Sequence, residues 1–228
     1  MQIGGGQKQD IDFVMFNLLC QTKKDGEFQL CKVANTTQII DDHTFEAMYF
    51  GLDTHFYNVA TKCIKRETYL KALQFANVTR KLTESEDILA FMAVLGVSKR
   101  IALLDCGLYY YCYNGDSTTR TNTPNKILER FEDLRFLIGK IDELAIKKDE
   151  RYRTFAQGIC KILEIHIVAN KTKRFVEGYQ RCIEKGCPKW LARFILSMQR
   201  KPFGYRKRVR QWRKFVKENE SVFRGVQI

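Results

Sequence analysis

Strand patterns stop at Pro124, and this change constrains the fold of the chain more than any other feature. Before it, apolar or alternating segments predict strands at residues 10–19, 27–33, 100–104 and 108–113. Helical spacing predicts helices between them at 41–50, 65–75 and 85–95. After it, only helices are predicted, at 125–147, 150–169, 173–185, 188–198 and 205–219. We therefore expect an α/β part over residues 1–123 and a helical C-terminal region over residues 124–228.

Glycines mark three turns or ends in the α/β part. Lys23-Lys24-Asp25-Gly26 predicts a hairpin turn, because Asp-Gly tolerates the positive φ that such turns need. Gly96 is expected to follow the end of the helix at 85–95, and Gly107 to separate the last two strands.

Charge is distributed as unevenly as the secondary structure. Of the 39 Lys and Arg residues, 20 lie in residues 151–228, together with only 5 of the 26 Asp and Glu. This last third therefore carries +15, whereas residues 1–150 carry −2. A neutral body with a basic end predicts an anionic partner, which could be a membrane surface, a nucleic acid or an acidic protein. Because 45% of the residues are apolar, the chain can bury a core and is not intrinsically disordered.

The cysteines and the termini give further expectations. The eight cysteines form no CxxC pair, and no histidine lies at zinc-finger spacing, so the sequence offers no structural zinc site. The polar, glycine-rich start predicts no secretory signal, and no apolar run is long enough to span a bilayer. We therefore expect reduced thiols and a cytoplasmic location.

An acidic helix start, Thr83-Glu84-Ser85-Glu86-Asp87, is the first candidate site. Hydroxyl residues stand where an N-cap belongs, and the acids lie at the positive end of the helix dipole. The apolar residues that follow have the spacing of one buried face; they are Ile88, Phe91, Met92 and Leu95. A carboxylate held there could accept a proton or bind a positive ligand. The alternative is that the acids only cap the helix.

Other candidate residues lie on both sides of this start. Lys62 and Arg66 are four residues apart and would share a helix face, where they could meet a phosphate, the acids or only solvent. Tyr109 and Tyr111 share a strand face and could line a sugar site or belong to the core rim. His55 could contact an acceptor or be an ordinary loop histidine.

Four motifs in order resemble the second half of a family 2 glycosyltransferase of the kind that builds bacterial surface polysaccharides. They are Asn58-Val59-Ala60-Thr61-Lys62-Cys63-Ile64-Lys65-Arg66, Glu86-Asp87-Ile88-Leu89, Leu108-Tyr109-Tyr110-Tyr111 and Ser117-Thr118. The resemblance covers roughly residues 10–120. It departs at Cys112, where the family usually has an arginine that could contact an anion.

The resemblance implies a GT-A-like mixed sheet and inverting transfer of a sugar from a nucleotide-diphosphate donor to a glycan or lipid-linked hydroxyl. It makes Asp87 the general base, while Glu86 would orient it or bind the acceptor. Substrate contacts would come from Lys62, Arg66, His55, Tyr109 and Tyr111.

The family's metal-binding Asp-x-Asp and its nucleotide-binding half should precede residue 10, where this chain has a polar Gly-Gln stretch. Asp10-Ile11-Asp12 imitates the motif without the buried strand that would aim it at a diphosphate. The complete enzyme is expected to use Mg²⁺ or Mn²⁺, whose ligands are not identifiable in this chain. We therefore expect the acceptor-side part of an enzyme, which could be inactive alone.

The basic C-terminal segment predicts an amphipathic helix. Tyr205, Val209, Trp212 and Val216 would form an apolar stripe that inserts into an anionic membrane surface. The residues assigned to that surface are Arg206, Lys207, Arg208, Arg210, Trp212, Arg213 and Lys214. RNA binding through Arg and aromatic stacking, or a packed terminal helix with a solvated basic face, are the alternatives.

Together these features predict a transferase peripheral to the inner face of the plasma membrane. A non-enzymatic basic module that binds a membrane surface or RNA is the rival hypothesis.

Overall fold

The computed structural model describes residues 10–21, 23–34, 36–41, 57–82, 85–114, 124–186, 188, 190 and 203–219. It contains a curled mixed sheet and five helices, so the predicted α/β class is confirmed. The strands are β1 (Phe13–Gln21), β2 (Phe28–Cys31), β3 (Gln38–Asp41), β4 (Lys62–Ile64) and β5 (Arg100–Tyr111). The helices are α1 (Arg66–Ala76), α2 (Glu86–Val97), α3 (Pro124–Ile146), α4 (Glu150–Glu184) and α5 (Phe203–Glu218).

Strand β1 is the centre of the sheet. It pairs in parallel with β5 on one side. On its other side it pairs antiparallel with β4 along its first half and with β2 along its second half. Strand β3 pairs antiparallel with the first part of β5. The predicted hairpin joins β1 to β2: Asp25 has φ 56°, and the Gly26 N–H donates to the Lys23 carbonyl at 3.1 Å.

Strand β5 is continuous, so the predicted break at Gly107 is wrong. The pairing of β1 with β5 shifts register on both sides of Asn17, which absorbs the extra residues of β5 without ending the strand. A Cβ at Gly107 would lie 3.0 Å from Leu19 Cγ, so glycine allows close packing here. The short strand β3 was not predicted; residues 42–50 of the helix predicted at 41–50 lie outside the described residues.

Buried Asn17 satisfies the irregular part of β1 with its side chain. Its Oδ1 accepts from the Val33 and Ala34 N–H groups at 2.6 and 2.8 Å, and its Nδ2 donates to Asp105 at 2.8 Å. These bonds replace pairing that the register shift removes, since a buried polar group requires partners.

Helix α2 is buried on nearly all sides, which exceeds the single apolar face that its sequence predicts. Gly96 lies inside the helix rather than after its end. Glycine is required at this position because α1 and α4 leave no space for a side chain. A Cβ there would approach Phe75 Cε1 to 2.7 Å and the Tyr152 ring to 3.3 Å. The Tyr152 hydroxyl donates to the Met92 carbonyl at 2.8 Å, which fixes α4 against α2.

The helical region packs on the α/β part through one core. Leu137 of α3 and Phe155 of α4 belong to the same buried cluster as Phe91 of α2 and Met15 of β1. The two helices predicted at 150–169 and 173–185 form one 35-residue helix, α4. The division into domains at 1–123 and 124–228 stays a prediction.

The apolar stripe of α5 faces α4 and does not face solvent. Trp212 and Val216 are each only 2% exposed, and Tyr205 and Val209 are partly buried against the same core. The prediction that Trp212 belongs to a membrane-inserting surface is therefore wrong, because the fold itself covers this stripe.

Candidate active site at the start of helix α2

The candidate site lies where the first turn of α2 meets a short 3₁₀ turn, Val59–Thr61, that precedes β4. Ser85 is the N-cap residue of α2, but it has φ 60° and makes no side-chain cap hydrogen bond. Asp87 instead accepts a hydrogen bond from the Val59 N–H at 3.4 Å. The carboxylate thus links α2 to the 3₁₀ turn, a role beyond capping its own helix.

Asn58 shapes the 3₁₀ turn, although sequence reasoning gave it no role. Its Oδ1 accepts from the Ala60 N–H at 2.8 Å, and its carbonyl accepts from the Thr61 hydroxyl at 2.7 Å. An asparagine whose side chain caps the backbone two residues later is a recognisable Asx turn, so the sequence carried a signal for it.

Lys62 is buried directly behind this turn. Its ammonium donates to the Asn58 carbonyl at 2.7 Å and to Thr61 Oγ1 at 3.1 Å, and lies 4.6 Å from the ring centroid of Phe91. Burial lowers the pKa of Lys62 to about 7, and the negative charge of Asp87 opposes that change. The amine therefore connects the turn, β4 and α2.

Asp87 is half-buried, and its pKa is raised. Burial is the main cause and the charge of Glu86 adds to it, whereas the Val59 N–H and the charge of Lys62 favour ionisation. A carboxylate with a raised pKa, once ionised, accepts a proton more strongly than an ordinary aspartate. The arrangement can therefore perform general base chemistry on a group that reaches Asp87.

The structure separates Lys62 from Arg66, which we expected on one helix face. Lys62 is the first residue of β4, whereas Arg66 begins α1 and is exposed. The chain turns from strand to helix between them, so the four-residue spacing does not place them together. Within the described residues, Arg66 forms no ion pair with Glu86 or Asp87.

The remaining predicted contacts lie apart from Asp87. Tyr109 and Tyr111 belong to β5, in register with Leu18 and Cys20 of β1, and are 41% and 49% exposed. None of the contacts described for Asp87 involves either tyrosine. His55 lies outside the described residues.

An apolar groove of about 460 Å³ runs between α1 and α2. Its lining residues include Tyr69, Leu73, Leu82, Glu86, Leu89 and Ala90. Glu86 is exposed and precedes Asp87 in the first turn of α2, although Asp87 itself is not among the residues that line the groove.

Asp12, the second acid of the Asp10-Ile11-Asp12 sequence that imitates a metal motif, has a structural role. Its Oδ2 accepts from the N–H groups of Lys99 and Arg100 at 2.7 and 3.0 Å, and its Oδ1 accepts from the Thr68 hydroxyl at 3.0 Å. Burial opposes ionisation of Asp12, but these bonds outweigh it and lower its pKa. Both oxygens already have partners, so this carboxylate does not fit a metal site.

The described part of the chain holds no group of three or more His, Cys, Asp or Glu side chains arranged for a metal ion. The described residues therefore do not fit the Mg²⁺ or Mn²⁺ that the resemblance implies. No helix among the described residues is long and apolar enough to cross a membrane.

Comparison of the chain with protein-family models, with curated proteins and with solved structures finds no match.

Proposed function

We propose that this chain carries the acceptor side of a GT-A-like, inverting glycosyltransferase of the family 2 type, with Asp87 as its general base. An acceptor hydroxyl attacks the anomeric carbon of a nucleotide-diphosphate sugar and gives its proton to Asp87. The new C–O bond forms as the bond from that carbon to the diphosphate breaks, and the nucleoside diphosphate leaves with the electron pair. The acceptor is a glycan or a lipid-linked hydroxyl compound.

The observation that carries this proposal is the placement of Asp87. Its carboxylate is half-buried, has a raised pKa and is oriented by the Val59 N–H, yet it remains partly accessible. An acid that only caps its own helix would be solvated, whereas Asp87 contacts the 3₁₀ turn through Val59 and lies close enough to buried Lys62 to be affected by its charge. General bases are found where burial and neighbouring charges tune a carboxylate in this way.

The groove between α1 and α2 supports an acceptor that has an apolar portion. Its lining includes Glu86, one residue from the proposed base, and its volume lies within the roughly 300–1,000 Å³ typical of ligand pockets. An acceptor hydroxyl at Asp87 would then leave the apolar portion to lie between the two helices.

The direct test is sugar transfer by protein expressed from its complete reading frame. Nucleotide-diphosphate sugars would be offered with soluble glycans and with lipid-linked acceptors, and glycosylated products would be identified by mass spectrometry. The proposal expects a product whose formation depends on Asp87. Product formation that Asp87→Asn leaves unchanged, with folding intact, would rule out this assignment.

A non-enzymatic binding module is the second candidate, and the exposed basic residues of α5 favour it. Two variants distinguish these hypotheses. A binding module would keep its function in Asp87→Asn and lose it when the exposed basic residues of α5 are replaced.

A further inference from the structure

Helix α5 is held on α4 in a fixed rotation about its own axis. Trp212 and Val216 are buried between the helices. Arg208 forms an ion pair with Glu164 of α4, and the Lys161 ammonium lies 4.9 Å from the ring centroid of Phe215. These contacts determine which face of α5 is left for solvent.

Exposed cations cover that remaining face. Lys207 and Lys214 lie opposite Trp212 and Val216, and residues 206, 210, 213 and 217 recur at helical spacing along the exposed flank beside them. We name this surface the α5 cationic ridge; its members are Arg206, Lys207, Arg210, Arg213, Lys214 and Lys217. The ridge is about 16 Å long at the helical rise per residue.

No negative charge interrupts the ridge from within. Residues 203–217 contain neither Asp nor Glu. Among the described residues, the acid paired with the ridge is Glu218, at 3.6 Å from Lys214, and both side chains are largely exposed. Such a surface pair is weak, so the ridge keeps most of its positive potential.

We propose that the α5 cationic ridge docks this protein onto an anionic lipid bilayer by charge alone, without inserting side chains into the membrane. Six cations on one convex face can meet lipid headgroups together, and each contributes to attraction by an anionic surface. The apolar stripe that an inserting helix would need is already used to hold α5 on α4.

The placement of aromatic side chains favours lipid over single-stranded nucleic acid. Binding of single strands relies on exposed rings that stack on bases. Trp212 is buried, and Tyr205 and Phe215 are packed against the core on the same side of α5. A bilayer surface requires no such rings.

The test uses vesicle flotation with phosphatidylcholine alone and with added phosphatidylglycerol. We expect binding only to the anionic vesicles and its loss at high salt, because exposed charges are screened. Arg206→Glu/Arg210→Glu/Arg213→Glu should abolish binding, since each cation is worth roughly fivefold in affinity. Lys23→Glu/Lys24→Glu/Lys81→Glu makes the same change in net charge at exposed positions elsewhere and should bind far better than the ridge variant.

Insertion is measured separately with Trp190→Phe, which leaves Trp212 as the sole tryptophan. We expect brominated lipids not to quench Trp212 in vesicle-bound protein. Quenching, binding to neutral vesicles, or equal binding by the two charge-reversal variants would each overturn the proposal. It would also be overturned if single-stranded or duplex RNA bound at salt concentrations that release the vesicles.

Discussion

Asp87 and Lys62 each hold the other closer to its charged form, although burial moves both toward neutrality. The charge of Asp87 opposes the fall in the pKa of Lys62, and the charge of Lys62 opposes the rise in the pKa of Asp87. The two residues come from different elements, β4 and the first turn of α2. Their proximity is what distinguishes this helix start from an ordinary acidic cap.

Stability should rise with pH above about pH 7 because of Lys62. Its folded pKa is about 7, below the roughly 10.4 of an unfolded lysine, so the unfolded chain binds more protons between these values. The free energy of unfolding therefore increases with pH, by up to about 1.4 kcal/mol per pH unit. Urea unfolding of wild type and Lys62→Met between about pH 7 and pH 8.5 would show this slope as their difference.

Lys65→Met is the matched control for that experiment. Lys65 donates hydrogen bonds to the carboxylates of Asp10 and Glu67, which raise the pKa of Lys65, so it stays protonated in both states across this range. Its removal should leave the slope unchanged. A difference between wild type and Lys62→Met that does not vary with pH would contradict the buried placement of Lys62.

Asp12→Ala should destabilise the fold by about 2–4 kcal/mol, because two backbone donors and one hydroxyl lose a charged acceptor. Asp10→Ala is the control, since Asp10 is exposed and makes a surface ion pair with Lys65; its cost should be below about 1 kcal/mol. Chemical denaturation gives both values. Equal stability of the two variants would refute the structural role assigned to Asp12.

Two glycine-to-alanine changes within helices should have opposite signs. Gly96→Ala places a Cβ 2.7 Å from Phe75 and should cost about 1–3 kcal/mol through overpacking. Gly139→Ala in α3 meets nothing within 4 Å and should stabilise by about 0.5–1 kcal/mol. Thermal unfolding would record both shifts. A stabilising Gly96→Ala would show that Phe75 does not limit the space at this position.

Filling the α1–α2 groove should discriminate between acceptors. Ala90 lines the groove, and Ala90→Phe would occupy part of its volume. We expect the KM for a lipid-linked acceptor to rise at least severalfold, with little change for a short soluble glycan that does not reach the groove. A uniform effect on both acceptors would argue against an apolar portion lying there.

The elements that the sequence predicted well are those with local signals. Apolar periodicity located α1 and α3 to within one residue of their ends, and the Asp-Gly pair marked the β1–β2 turn. These patterns depend on neighbouring residues alone, so no tertiary information was needed.

The errors arose where distant elements decide the outcome. The sequence predicts a helix end at Gly96, but glycine is needed there because Phe75 and Tyr152 pack closely against the helix backbone. The stripe around Trp212 has the pattern of a membrane-inserting helix, yet α4 covers it. In the candidate site, Asp87 was identifiable from the sequence, whereas the burial of Lys62 and the bond from Val59 depend on folding of the 3₁₀ turn against α2.

The most direct test of the central claim is the turnover of Asp87→Asn compared with Glu86→Gln in the sugar-transfer assay. Loss of a general base should lower kcat by about 10²–10⁴-fold with circular dichroism unchanged, whereas loss of Glu86, which would only orient the base or bind the acceptor, should lower kcat less. If Asp87→Asn matched wild type with its fold intact, Asp87 would not be the base and the proposed mechanism would be wrong.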